Sequence, residues 1–218
     1  MDVSEAVHSR QSIRAFTDQE VPDSLIQELL EKSSRAASGG NLQPWKIFII
    51  NNATMPKFLK FQEEWTDPET PAYDIYPENL TEPYKTSRYE VGAQMYSILE
   101  IGREDKEGRF KQMLENFKFF GAPSAFFCFV DRQMGRPQWS DLGMFLQTFM
   151  LLAREAGLDT CPQEAWAIKQ ESVTSFVKAP DELMLFCGMA IGYKDKNAKI
   201  NELRTERRPF EDWAIFVD

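Results

Sequence analysis

The sequence predicts one domain that mixes helices with strands, and three observations carry that prediction. Short runs of β-branched and aromatic residues, Lys46 to Ile50, Ser124 to Val130 and Leu183 to Ile191, read as strands. Longer segments repeat apolar residues at helical spacing, most clearly from Ser140 to Ala156. A length of 218 residues, 43% hydrophobic and with 17 phenylalanines, suits a single sizeable core.

The elements follow in order. Asp2 and Glu5 have capping-box spacing and open a short helix over Val3 to Ser9. A second helix runs from about Asp23 to Arg35, with Leu25, Ile26, Leu29 and Leu30 as its apolar stripe and Pro22 at its entry. Ser38-Gly39-Gly40-Asn41 stops it, and Gln43-Pro44-Trp45 leads into the first strand. Residues 66–86 carry Asp67-Pro68, Tyr73, Tyr76-Pro77 and Pro83-Tyr84, which read as a long irregular loop of functional or mobile character. Helices are predicted over Tyr89 to Ile101 and Lys106 to Phe119, ended by Gly121-Ala122-Pro123. The strand from Ser124 is apolar without alternation, so it is buried on both faces. In the Ser140 to Ala156 helix, Leu142, Phe145, Leu146, Phe149, Met150 and Ala153 form a wide apolar face, and Gly157 ends it in the left-handed conformation. A helix over Glu171 to Lys178 and the last strand precede a charged tail with Phe210, Trp213, Ile215 and Phe216.

Composition excludes several functions. A net charge of −9 without a basic stripe disfavours nucleic acid. No apolar run approaches the ~20 residues that span a bilayer, and the N-terminus is acidic where a signal peptide is basic. A cytoplasmic protein is expected. Cys128, Cys161 and Cys187 are odd in number and widely spaced, which favours buried free thiols. His8 is the only histidine, with a structural or surface role expected. Multi-histidine zinc sites and histidine-activated nucleophiles are thereby removed, and Cys161 is assigned to packing.

No glycine-rich dinucleotide fingerprint or phosphate loop is present. A phosphate-bearing cofactor would have to be held by arginines and amides, which occur in four places. Arg10, Gln11, Ser12 and Arg14 set two guanidinium forks and a hydroxyl in one turn, matched to phosphate oxygens. Ser38, Gly39 and Asn41 with Gln43 would let a planar ring approach the backbone. Cys161-Pro162-Gln163-Glu164 and the arginines at 204, 207 and 208 are the third and fourth. Taken singly, each reads more simply as a loop, a strand end or a solvated surface; their order and joint occurrence carry the argument.

Together they resemble the flavin-dependent nitroreductase family nearly from end to end. The Arg-x-Ser-x-Arg-x-Phe opening matches Arg10, Ser12, Arg14 and Phe16, and the Ser-x-x-Asn-x-Gln-Pro-Trp signature matches Ser38, Asn41, Gln43, Pro44 and Trp45. The Gly-Leu-x-Thr-x-Pro turn matches Gly157, Leu158, Thr160 and Pro162, and a closing arginine-proline element matches Arg207 and Pro209. The middle insertion and Asn116 with Phe119-Phe120-Gly121-Ala122-Pro123 are most similar to nitrobenzoate-reductase-type members. The resemblance implies an α+β sandwich with a mostly antiparallel sheet flanked by helices, one domain over 1–218 with a lid-like insertion around 66–120. It further implies an intertwined homodimer with FMN at the interface. Arg10 and Arg207 would grip the phosphate with Gln11 and Ser12, and Arg14 would lie toward the pyrimidine edge. Ser38, Gly39, Asn41 and Gln43 belong to the same cofactor set, with Ser38, Gly39 and Asn41 approaching from the partner subunit. Pro162, Gln163 and Glu164 would line the ring, with Asn116 a further contact. Thr205 stands where many members carry lysine, which leaves Arg204 or Arg208 to substitute.

The implied activity is hydride transfer from NADH or NADPH to flavin N5, then reduction of a nitroaromatic or quinone-like acceptor in the same slot, hence ping-pong kinetics with no obligatory protein acid or base. A cation such as Arg14 beside the flavin would favour its reduced, anionic form. Acceptor choice is expected to lie in the 66–86 loop and the helix beyond it. Alternatives on the same scaffold are reductive dehalogenation, enoate reduction, flavin breakdown or a non-enzymatic flavin-binding dimer. For a dehalogenase-like lid the available residues are Tyr73, Tyr84, Lys85 and Glu90.

Overall fold

The computed structural model describes residues 1–217. Helices and strands run α1 (Val3–Ser9), α2 (Asp23–Ser33), β1 (Lys46–Ile50), α3 (Met55–Glu64), α4 (Tyr84–Ile98), α5 (Lys106–Leu114), β2 (Ser124–Asp131), α6 (Arg136–Glu155), β3 (Asp159–Gln163), α7 (Gln170–Val177) and β4 (Leu183–Gly192). The strands form one antiparallel sheet in the order β1-β2-β4-β3. Side-chain alternation along β2 explains its unbroken apolar run. Phe126, Cys128 and Val130 pack with α2 and α6 residues such as Ile26, Phe145 and Phe149, while Ala125, Phe127 and Phe129 pack with Phe58, Trp166 and Val173. Helices therefore cover both faces, which is the α+β sandwich.

One irregularity in the sheet shapes what lies above it. Cys128 pairs with Cys187 but Phe129 pairs with Leu185, so Phe186 is the extra residue of a β-bulge. The Tyr73 hydroxyl donates to the Phe186 carbonyl, and Tyr73, Trp139 and Phe186 close ring on ring at 5.3 to 6.2 Å. Glu69 accepts from the Glu171 N–H at α7, and Ala72 N–H donates to the Ala167 carbonyl at 2.8 Å. The first part of the long loop is irregular, as expected, with no helix or strand between α3 and α4, and it is strapped to the core because its polar groups find partners in the fold.

Other boundaries differ for physical reasons. α3, not predicted above, buries Met55 and Phe58, with Leu59 packed against the same core and Phe61 against Trp65 and Phe176. The α-helix expected to reach Phe119 stops at Leu114 and tightens into 3-10 turns over Glu115–Gly121, within which Phe119 and Phe120 take left-handed φ values of 51° and 54° and bury both rings. α4 begins five residues before Tyr89, and α6 four before Ser140, where Pro137 suits a first turn. α6 does end as expected. Gly157 (φ 81°) donates to the Arg154 carbonyl and Leu158 to the Ala153 carbonyl, the paired bonds of a Schellman motif.

The three thiols are buried and unbridged. Burial pushes Cys161 up to about 11 and raises Cys128 and Cys187 as well. The folded state therefore holds these protons above pH 9, where the unfolded chain releases them. The stabilisation is full below about pH 9 and is lost as pH rises through 9 toward 11. At pH 9.5 the three thiols together should cost about 2 kcal/mol relative to pH 7.5. Urea unfolding at the two pH values checks this, and equal midpoints would contradict it.

Candidate cofactor site

α1 and the segment after it build the core of the site. Asp2 caps α1 by accepting from the Glu5 N–H at 2.8 Å, and the chain leaves the helix extended at Arg10. Ser12 then bridges to Thr160 in parallel, with Ile13 N–H donating to the Thr160 carbonyl at 3.0 Å and Ile13 fully buried. This pairing fixes Arg10, Ser12 and Arg14 at the edge of β3.

Those residues line a cleft of about 780 Å³ together with Gln11, Gln147 of α6, and Arg204, Thr205 and Arg207 from the C-terminal segment. The volume lies within the roughly 300–1,000 Å³ usual for cofactor-sized ligands. Four guanidiniums converge and no carboxylate lines the cleft. Burial, then the neighbouring Arg207, lowers the Arg10 pKa, with Arg204 adding to the effect, so its charge sits where charge is disfavoured. Cations gathered without a counter-charge make a site whose electrostatics an anion relieves.

Asn201 was not singled out in the sequence, yet it joins the two chain ends at this cleft. Nearly fully buried, it accepts from Arg14 N–H at 2.8 Å and donates to the Ala15 carbonyl at 2.8 Å and the Asp195 carbonyl at 3.0 Å. Its carbonyl accepts from Gln11 Nε2 at 2.8 Å. Gln11 lines the cleft but spends its amide N–H on this latch. Arg204 donates to the His8 carbonyl, while Arg207 is bonded to Thr205 and Glu206 and remains exposed. Arg208 turns elsewhere, its guanidinium 5.7 Å from the Tyr84 ring. Arg204 and Arg207, not Arg208, complete the cleft.

The Pro162–Glu164 segment adjoins the same region through Cys161, whose surroundings include Ser12, Arg14 and Glu164. Its thiol, held protonated by burial, has no nucleophilic character at neutral pH. Gln163 is buried and donates to the Asn116 carbonyl at 2.8 Å, so two expected site residues far apart in sequence meet. Gln163 Oε1 has no partner.

Ser38, Gly39, Asn41 and Gln43 are not among the residues lining the arginine cleft. Their loop is pinned to α6 instead. The carboxylate of Asp141, 4% exposed, accepts from Ser38 Oγ and Gly39 N–H, both at 3.1 Å, and Ser38 Oγ accepts from Gln43 N–H at 2.8 Å. Asp141 was also missed; an acid within an apolar helical stripe was its one signal. Of the four lid residues considered, Tyr73 is committed to Phe186 and Tyr84 lies by Arg208, whereas Lys85 lines a separate cleft. Of the four, Lys85 alone lines that cleft.

Residues 7–193 match the model of the nitroreductase family. A 4-nitrobenzoate reductase of Pseudomonas putida is 32% identical over 99% of this chain and 96% of its own length. A chloronitrobenzene nitroreductase of Comamonas testosteroni is 29% identical over the same shares. The crystal structure of an FMN- and NADPH-dependent nitroreductase, NfnB of Sphigopyxis sp. strain HMH, superposes with a TM-score of 0.93 at 38% identity, covering both chains fully.

Proposed function

The chain belongs to the nitroreductase family, and from that premise we propose that it is an FMN-dependent oxidoreductase that takes hydride from NADH or NADPH and reduces nitroaromatic or quinone-like acceptors. The observation that carries this reading is the cleft of four arginines without a carboxylate, where Arg10 is held in an environment that disfavours its charge. Arg10 and Arg207, with Arg204, would bind the FMN phosphate, and Ser12 would add a hydroxyl donor. Arg14, fixed through its backbone by Asn201, would place a cation beside the ring system. The Gln163–Asn116 hydrogen bond would hold Pro162, Gln163 and Glu164 along the ring. When bound there, FMN supplies a two-electron acceptor for hydride; the protein's share is binding, orientation and electrostatics. The Sphigopyxis and Pseudomonas relatives support this cofactor and acceptor class.

The Ser38–Gln43 loop, pinned by Asp141 but absent from the arginine cleft, would reach the cofactor of a second subunit. Surface apolar groups support a homodimer: α4 buries no residue, Val3 and Val7 of α1 are exposed, and Trp213, Ile215 and Phe216 are 63%, 86% and 83% exposed. Residues 66–120 would act as a lid on one 1–218 domain. No helix among the described residues is long and apolar enough to cross a membrane. Three unbridged thiols fit a reducing compartment, which supports a cytoplasmic setting.

An anaerobic absorbance spectrum of the purified protein, before and after NADH or NADPH, tests the reading. A yellow protein whose oxidised-flavin band bleaches is expected. A colourless protein that takes up no FMN would sink it, and a yellow one that neither nucleotide reduces would favour the non-enzymatic dimer.

A further inference from the structure

Between Gln163 at the end of β3 and the start of α7, the chain runs through 3-10 turns over Glu164–Lys169. Little in its own sequence anchors the far end of that segment. Lys169 occupies the N-cap of α7, where its side chain has no oxygen to offer and caps nothing. The first N–H groups of the helix are served instead from the long loop, 102 residues earlier in the chain. There the Glu69 carboxylate accepts from the Glu171 N–H at 2.9 Å and the Ser172 N–H at 3.4 Å, with the Glu69 side chain only 16% exposed. An anion at this point also meets the positive end of the helix dipole. Three residues on, the Ala72 N–H donates to the Ala167 carbonyl at 2.8 Å, inside the same 3-10 turns.

A line of contacts runs from Glu69 to the residues proposed to line the flavin ring. Lys169 Nζ stands 3.9 Å from Glu69 Oε1 and 5.9 Å from the centre of the Phe117 ring. Phe117 packs edge-on against Trp166 at 5.3 Å, and its neighbour Asn116 holds the Gln163 amide at 2.8 Å. Glu69 Oε1 is buried without a hydrogen bond, which leaves Lys169 as its counter-charge. Among the described residues no other side chain accepts from the Glu171 or Ser172 N–H, so nothing duplicates the clamp.

We propose that Glu69 is a positioning residue for the flavin: by clamping the start of α7 it sets where Pro162, Gln163 and Glu164 stand against the ring. This role rests on the oxidoreductase reading above. Its influence is confined to the ring end of the cofactor. The arginines of the phosphate end come from the residues after α1 and from the C-terminal segment, and Glu69 bonds to none of them.

Titration of the flavin-free protein with FMN and with riboflavin, which carries the ring without the phosphate, reads the two ends separately. Glu69→Ala should weaken both by the same factor, up to about tenfold, and leave their ratio at the parent value. Arg10→Met should lower the FMN-to-riboflavin ratio instead. Glu69→Gln keeps an oxygen for both N–H groups and should recover most of the loss. Hydrogen exchange of the flavin-free Glu69→Ala protein should quicken at residues 164–172 and stay at the parent rate in β2 and α6. If Glu69→Ala does not fold, Glu69→Asp, whose carboxylate falls one methylene short, should weaken both flavins alike. Parent affinity for both flavins in Glu69→Ala, beside faster exchange at 164–172, overturns the proposal and makes Glu69 a strut of α7 alone. A changed ratio overturns it as well, by putting the effect at the phosphate. A parent protein that binds neither flavin ends the oxidoreductase reading and the positioning role with it, whereas a parent that binds both beside an unaffected variant ends the positioning role only.

Discussion

Gly188→Ala is expected to destabilise the protein by roughly 3 kcal/mol or more, at the upper end of what overpacking a core costs. Gly188 sits in β4 between Phe127 of β2 and Gln163 of β3. The fully buried Trp166 indole lies directly over it: an added Cβ would overlap Trp166 Cδ1 and stand 3.0 Å from Nε1 and 3.1 Å from Cγ. The indole has nowhere to retreat, since Phe117, Phe119, Phe127 and Phe58 surround it with ring centroids 4.8 to 5.4 Å away. Trp166 follows Gln163 by three residues, so the displacement should also disturb the Gln163–Asn116 hydrogen bond and weaken flavin retention. Urea unfolding measures the loss. Trp166→Phe in the same chain should recover part of it, because the smaller ring vacates the position the methyl needs. A cost for Gly188→Ala below about 1 kcal/mol would show that the indole is free to move and that the contact does not govern this part of the core.

Gly188 was not legible beforehand, and the reason is general to this fold. A glycine within Phe186-Cys187-Gly188-Met189 reads as a weak point in a strand, and only the indole arriving from another element explains it. Elements with their own periodicity were legible: the β2 run, the apolar stripe of α6 and the stop at Gly157 all rest on local rules. α3 follows the same local rule, since Met55, Phe58 and Leu59 stand at i, i+3 and i+4, although it was not predicted. β3 was not legible, because Asp159-Thr160-Cys161-Pro162-Gln163 has a proline at its fourth position and becomes a strand by pairing with β4 and the Ser12 segment. The same division holds for the site. Arg10 and Arg14 stand out by residue type and line one cleft, whereas the Ser38–Gln43 loop, equally conspicuous in the sequence, is not part of it. Asn201 and Asp141 act by satisfying backbone groups of distant segments, a role no local pattern encodes.

Arg10→Met is expected to lower FMN affinity on the order of a hundredfold, since it removes a charge-assisted, two-pronged contact from a partly desolvated position. Arg207→Met should cost about tenfold, because that side chain is exposed and its Nη1 already serves Thr205 and Glu206. Loss of flavin alone would not separate a phosphate contact from a damaged fold, but the sign of the stability change does. Burial and the nearby Arg207 and Arg204 lower the Arg10 pKa, so without an anion the charged form is disfavoured in the folded state. Methionine keeps the aliphatic stem and removes the charge. The flavin-free Arg10→Met protein should therefore melt above the flavin-free parent, while the flavin-saturated parent melts above both by mass action. Differential scanning calorimetry on the flavin-free and flavin-saturated forms of parent and variant reads all of these. A variant that loses flavin and also melts lower when flavin-free would mark Arg10 as a structural strut of the α1 end. A variant that keeps full FMN affinity would remove it from the phosphate site. The expected pattern, weaker binding with a more stable empty fold, is what a cation cluster held open for an anion requires.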